Sequence, residues 1–173
     1  MKKTAFCGLT LALALIAGYV ESLIPIPIPI PGIKLGIANS VILILLYLAG
    51  VKEAFVVNVC RVFLSGFLFG NMFSILYSLS GAVLSLFVMA VVKRTDHFTE
   101  AGVSIAGGVT HNIGQLVVAC LVLKSTAVWN YLPVLILAGC LTGLVIGILA
   151  DEIGKRIKVD TFYKAFYNRK AEN

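Results

Sequence analysis

Apolar residues run along this chain in long blocks, broken by short polar, glycine or proline stretches, instead of forming the one-sided stripes of a soluble helix. A transmembrane helix needs about 20 mostly apolar residues. On that measure the blocks predict six helices, over residues 4–24, 33–50, 53–69, 72–92, 101–123 and 130–150. Only Gly70 and Asn71 separate the third block from the fourth, and the second is short for a full span. Both regions are therefore expected to be tilted, broken or partly re-entrant. The expected fold is all-α, a polytopic bundle of about six transmembrane helices over residues 1–155. A basic tail over residues 156–173 reads either as an interfacial amphipathic helix or as a solvated topology anchor.

Composition strengthens the membrane reading. The chain is 60% hydrophobic and 13% charged, against roughly a quarter charged in a soluble domain. Its mean hydropathy is +1.01. The net charge is +6, but its placement matters more than its sum. With six spans and a cytoplasmic N-terminus, eleven of the fourteen Lys and Arg fall on the cytoplasmic side, including Lys2, Lys3, Lys52, Lys93 and Arg94. Lys34 and Lys124 fall outside, and Arg61 lies within the third span. This positive-inside bias places both termini in the cytoplasm. No basic stripe is interleaved with aromatics, so nucleic acid is not an expected partner. The lipid bilayer is. Met1-Lys2-Lys3 and the apolar run behind it also resemble a signal peptide, but no small-residue cleavage site precedes a polar start, so a retained first helix is expected.

Candidate chemistry is sparse. Cys7, Cys60, Cys120 and Cys140 lie singly in apolar blocks and read as small hydrophobes. No metal-ligand spacing, nucleotide-binding loop or catalytic constellation is visible, so neither a metal, nor a cofactor, nor an enzyme activity of its own is expected. Asp96 and Glu100 read as part of a solvated loop.

The polar groups inside the apolar blocks carry more weight. Arg61 is costly in a membrane unless it faces a cavity, an anion or helix-end carbonyls. Asn58 lies three residues before it and shares its helix face. His111, Asn112 and Gln115 cluster on the fifth helix, and Asn39 sits in the second. With Lys34 at the mouth these residues are expected to line one outward-facing ligand pocket; ordinary interhelical hydrogen bonds are the alternative. The run Ile24 to Gly32 alternates isoleucine with Pro25, Pro27, Pro29 and Pro31. It cannot be regular helix and reads as an extended strap, either a lid over a cavity or a stiff connector. Small residues four apart recur as Gly8/Ala12 and Ala14/Gly18 in the first helix and as Gly139/Gly143/Gly147 in the sixth. They suit close helix approach, to a partner subunit at the first helix or within the bundle.

The stretches Pro31 to Asn39, Asn58 to Arg61 and Gly107 to Gln115 resemble the small bacterial membrane family called Gx transporters, often labelled heptaprenyl diphosphate synthase component I. Through it the chain more distantly resembles the substrate-binding S components of energy-coupling-factor vitamin transporters. The resemblance covers roughly residues 5–155. It implies an S-component-like bundle in a bacterial cell membrane, capturing a small, partly apolar, anionic molecule for uptake. It also implies docking of Gly8, Ala12, Ala14 and Gly18 against a transmembrane coupling subunit with separate ATPases. The alternative implied by the label is a non-catalytic membrane accessory subunit for isoprenoid, prenyl diphosphate or quinone synthesis.

Overall fold

In the computed structural model, residues 2–23 and 37–156 are described. The proline strap with Pro25, Pro27, Pro29 and Pro31, together with Lys34 and the tail from 157, lies outside the described residues. Six α-helices fold among the described residues: α1 (Lys2–Leu23), α2 (Ile37–Leu48), α3 (Val51–Phe69), α4 (Met72–Arg94), α5 (Glu100–Leu123) and α6 (Leu132–Arg156). A short 3-10 turn, Thr126–Tyr131, leads into α6.

Each break has a local cause. Gly50 adopts φ 98° between α2 and α3, in the left-handed region open to glycine. Gly70 ends α3, and the Asn71 side chain accepts from the Ser74 backbone N–H at 2.9 Å, starting α4. The expected boundary at Gly70-Asn71 is therefore a true helix break, and Asn71 is a cap. Thr99 caps α5 in the same way, accepting from Gly102 N–H at 3.3 Å.

Among the described residues, four helices are long and apolar enough to cross a membrane: the α1 stretch Lys3–Val20, α4, α5, and the stretch Thr126–Lys155 that contains α6. The chain is a multi-pass, all-α membrane protein. Six full spans and a specifically S-component-like bundle do not follow from this architecture. Of the block expected over residues 33–50, the described part holds the 12-residue helix α2, ~18 Å at 1.5 Å per residue. Helix α3 has 19 residues but carries Lys52, Glu53 and Arg61.

Helix α2 is core. From Val41 on it is almost wholly apolar, and Ile42, Leu43, Leu45 and Leu46 are fully buried among α1, α3 and α6. Phe6, Ala54, Val57, Leu86, Met89, Val103 and Ile146 close around it. The outward faces are just as apolar: Leu9, Leu13 and Ile16 on α1, Phe67 and Leu68 on α3, and Leu137 and Leu141 on α6 are all exposed. An exterior of that kind requires lipid as its solvent.

Helix α5 is clamped between α4 and α6 through glycines. A Cβ on Gly147 would lie 2.4 Å from Ala101 Cα, and one on Gly143 would lie 2.7 Å from Ile105 Cα. On the α4 side, a Cβ on Gly114 would meet the Ser80 carbonyl at 2.9 Å. The backbones touch because side chains are missing, and this contact fixes where the polar face of α5 points.

Candidate functional site

Charged side chains gather at one end of the bundle, where α1, α3 and α5 begin and α2, α4 and α6 end. Lys3 pairs with Glu53 across α1 and α3. Lys93 of α4 donates to the Leu46 carbonyl at 2.8 Å and lies 4.3 Å over the Tyr47 ring, satisfying the end of α2. Beside it opens a pocket of about 260 Å³, with apolar walls from Ile44, Leu48 and Ala150 and polar groups from Tyr47, Glu100, Asp151 and Lys155. Lys155 holds Asp151 at 2.6 Å. The expectation of a solvated loop at Glu100 is corrected here. Glu100 begins α5 and is half-buried in this pocket, because Thr99 caps the helix one residue earlier than the apolar block suggested.

Deeper in the bundle lies the intramembrane polar group. Arg61, ~15 Å along α3 from its start, donates through Nη2 to Asn58 Oδ1 at 2.9 Å and to Asn39 Oδ1 at 3.3 Å, and through Nε to Asn58 Oδ1 at 3.3 Å. Asn58, itself buried, donates onward to the Ala82 carbonyl of α4 at 3.3 Å. Asn39 also faces a small interior cavity of about 30 Å³, shared with Ser85 of α4, Ser104, His111 and Asn112 of α5, and Thr142 of α6. Asn112 donates to the Leu135 carbonyl at 2.8 Å, tying α5 to α6.

The structure thus brings Asn39, Asn58 and Arg61 into one hydrogen-bonded group, and Asn39, His111 and Asn112 around one cavity. Gln115 stands apart, packed towards Gly81 of α4. Lys34 is outside the described residues. The small residues of α1 divide between two faces. Gly8 and Ala12 are exposed, with nothing near Gly8, whereas Ala14 is fully buried and Gly18 abuts Ala38 of α2. Sequence reasoning missed Ser85, Ser104 and Thr142. Ser104 and His111 are seven apart, two helical turns on one face, and that spacing is the signal that points to Ser104.

A third feature is an open apolar groove on the outer surface between α4 and α5, lined by Leu76, Leu79, Val83, Leu84, Phe87 and Val118. Among the described residues, no three His, Cys, Asp or Glu side chains come together as a metal-holding group.

A family model for heptaprenyl diphosphate synthase component I matches residues 10–153. The chain belongs to that family. No curated protein and no solved structure matches it.

Membership in the synthase component family overturns the transport reading. The match is to this family and not to a family of energy-coupling-factor S components, so the Gx-transporter and S-component assignment, the uptake role and its transport vocabulary are withdrawn. The reason is physical. Apolar helices with a few polar positions are shaped by the bilayer as much as by function, so a short motif carries less weight than a match over most of the chain.

Proposed function

We propose that this chain is a non-catalytic membrane subunit of prenyl diphosphate synthesis, acting beside a separate catalytic synthase subunit. The observation that carries this reading is the family match over residues 10–153, since a component implies an assembly.

Physical chemistry supports a membrane subunit in such an assembly. Each added isoprene unit makes the product more apolar, while its diphosphate head stays in water. Burial in lipid is worth ~0.8 kcal/mol per CH₂, so a long polyprenyl tail partitions into the bilayer. A subunit that holds the synthase at the membrane lets the tail leave without crossing water. The apolar groove between α4 and α5 suits such a tail. The charged end of the bundle, with Lys3, Lys52, Lys93 and Lys155, is the cytoplasmic end by the positive-inside bias and is the surface a soluble subunit would meet.

The non-catalytic part rests on side-chain inventory. Metal-assisted departure of diphosphate calls for clustered aspartates. The aspartates here are Asp96, Asp151 and Asp160, spread along the sequence, and Asp151 is engaged by Lys155.

Purification of the full chain from native membranes in mild detergent tests the assembly. The expected result is a co-purifying soluble synthase that elongates an allylic diphosphate with isopentenyl diphosphate. Absence of any synthase from the purified material, with the chain itself intact, would contradict the proposal.

A further inference from the structure

The interior cavity between α2, α4, α5 and α6 has a chemistry of its own. Ser85 and Ser104 are 5% and 4% exposed, yet neither hydroxyl has a hydrogen-bond partner among the described residues. That is unusual within this bundle. Thr10 donates to the Phe6 carbonyl, Thr110 to the Ala106 carbonyl and Thr142 to the Ala138 carbonyl, each at 2.7–2.8 Å. Those hydroxyls use the carbonyl four residues back, the standard recourse of a helical hydroxyl in an apolar setting. Ser85 and Ser104 do not take it, and both line the cavity. A buried polar group left without a partner costs roughly 1–3 kcal/mol.

We infer that this cavity is a hydration site at membrane depth, holding ordered water that bridges α4 to α5. The volume of about 30 Å³ sets the occupancy. A water needs about 10–15 Å³ of such volume, so the cavity takes one or two. The donor and acceptor balance selects water over an ion. Asn112 has committed its amide N–H to Leu135, which leaves its Oδ1 as an acceptor. Asn39 has committed its Oδ1 to Arg61, which leaves its amide N–H groups as donors. The serine hydroxyls do both. An anion would meet the Asn112 carbonyl oxygen, and a cation would meet the Asn39 amide with the Arg61 charge behind it. Water gives and accepts, and satisfies all of these groups. A diphosphate head is far larger than this space, so the cavity is separate from any prenyl-carrying surface.

A high-resolution crystal structure of the full chain, grown once from chloride and once from bromide, tests the assignment. The expected result is one or two density peaks at about 2.7–3.2 Å from the Ser85 and Ser104 hydroxyls, with no anomalous signal in bromide. An empty cavity, or an anomalous bromide peak within it, would overturn the inference. In the Ser85→Ala and Ser104→Ala variants, the peak nearest the deleted hydroxyl is expected to disappear. Unchanged peaks in both variants would equally overturn it.

Discussion

Arg61 is the residue whose environment says most about the interior. Its guanidinium is held by two asparagine oxygens from different helices, and Asn58 passes the connection on to the α4 backbone. Replacing Arg61 with alanine removes its hydrogen bonds to Asn39 and Asn58 and strips donors from both. Interhelical hydrogen bonds in membranes average ~0.6 kcal/mol each, and bonds to charged groups run higher. Arg61→Ala is therefore expected to lower stability by about 1–3 kcal/mol, read as a lower thermal midpoint in detergent. Arg61→Lys should recover only part of this, because one ammonium is a point donor and lacks the planar fork. An unchanged midpoint in Arg61→Ala would show that the network is not structural. The grouping of Asn58 with Arg61 was legible from their three-residue spacing. Their meeting with Asn39 was not, because it depends on how α2 packs and not on any local pattern.

At the scale of the helices, glycine placement governs the bundle. Gly139, Gly143 and Gly147 were legible as a small-residue stripe, and the structure gives that stripe to α5. The stripe in α1 divides differently, since Ala14 and Gly18 face inward while Gly8 and Ala12 face out. Among the described residues, helix boundaries followed the apolar blocks closely except for α6, which runs past the apolar block to Arg156. Two substitutions separate the roles. Gly147→Val would drive a branched side chain into the Ala101 backbone, a clash no rotamer relieves, at a cost of about 1–3 kcal/mol or more. Gly8→Ala meets nothing within 4 Å and should stabilise α1 by up to ~1 kcal/mol through helix propensity. Equal thermal midpoints for the two variants would contradict the packing of α6 on α5.

For the whole molecule, the sequence disclosed the class and left the role open. Alternating apolar blocks and charged ends are imposed by the bilayer, so a membrane bundle was readable from them. The number of full crossings was less readable: among the described residues, α2 is as apolar as a span and sits in the core. The pocket at the charged end was hidden for another reason. Glu100 and Asp151 are brought together only by the docking of α5 on α6. The interior polar residues suggested one outward-facing pocket; of these, Asn39, His111 and Asn112 line a cavity of about 30 Å³, while Lys34 and the proline strap lie outside the described residues. The open apolar groove between α4 and α5 lies on the outer surface.

The proposed role is to support synthesis at the membrane without performing the chemistry. Reconstitution of the purified chain into liposomes, with radiolabelled isopentenyl diphosphate, an allylic diphosphate and magnesium supplied, tests it most directly. The account predicts no elongated product from the chain alone, and lipid-extractable polyprenyl product once the soluble synthase subunit is added. Product formed by the chain alone, or product formation by the soluble subunit that is indifferent to the chain, would contradict it.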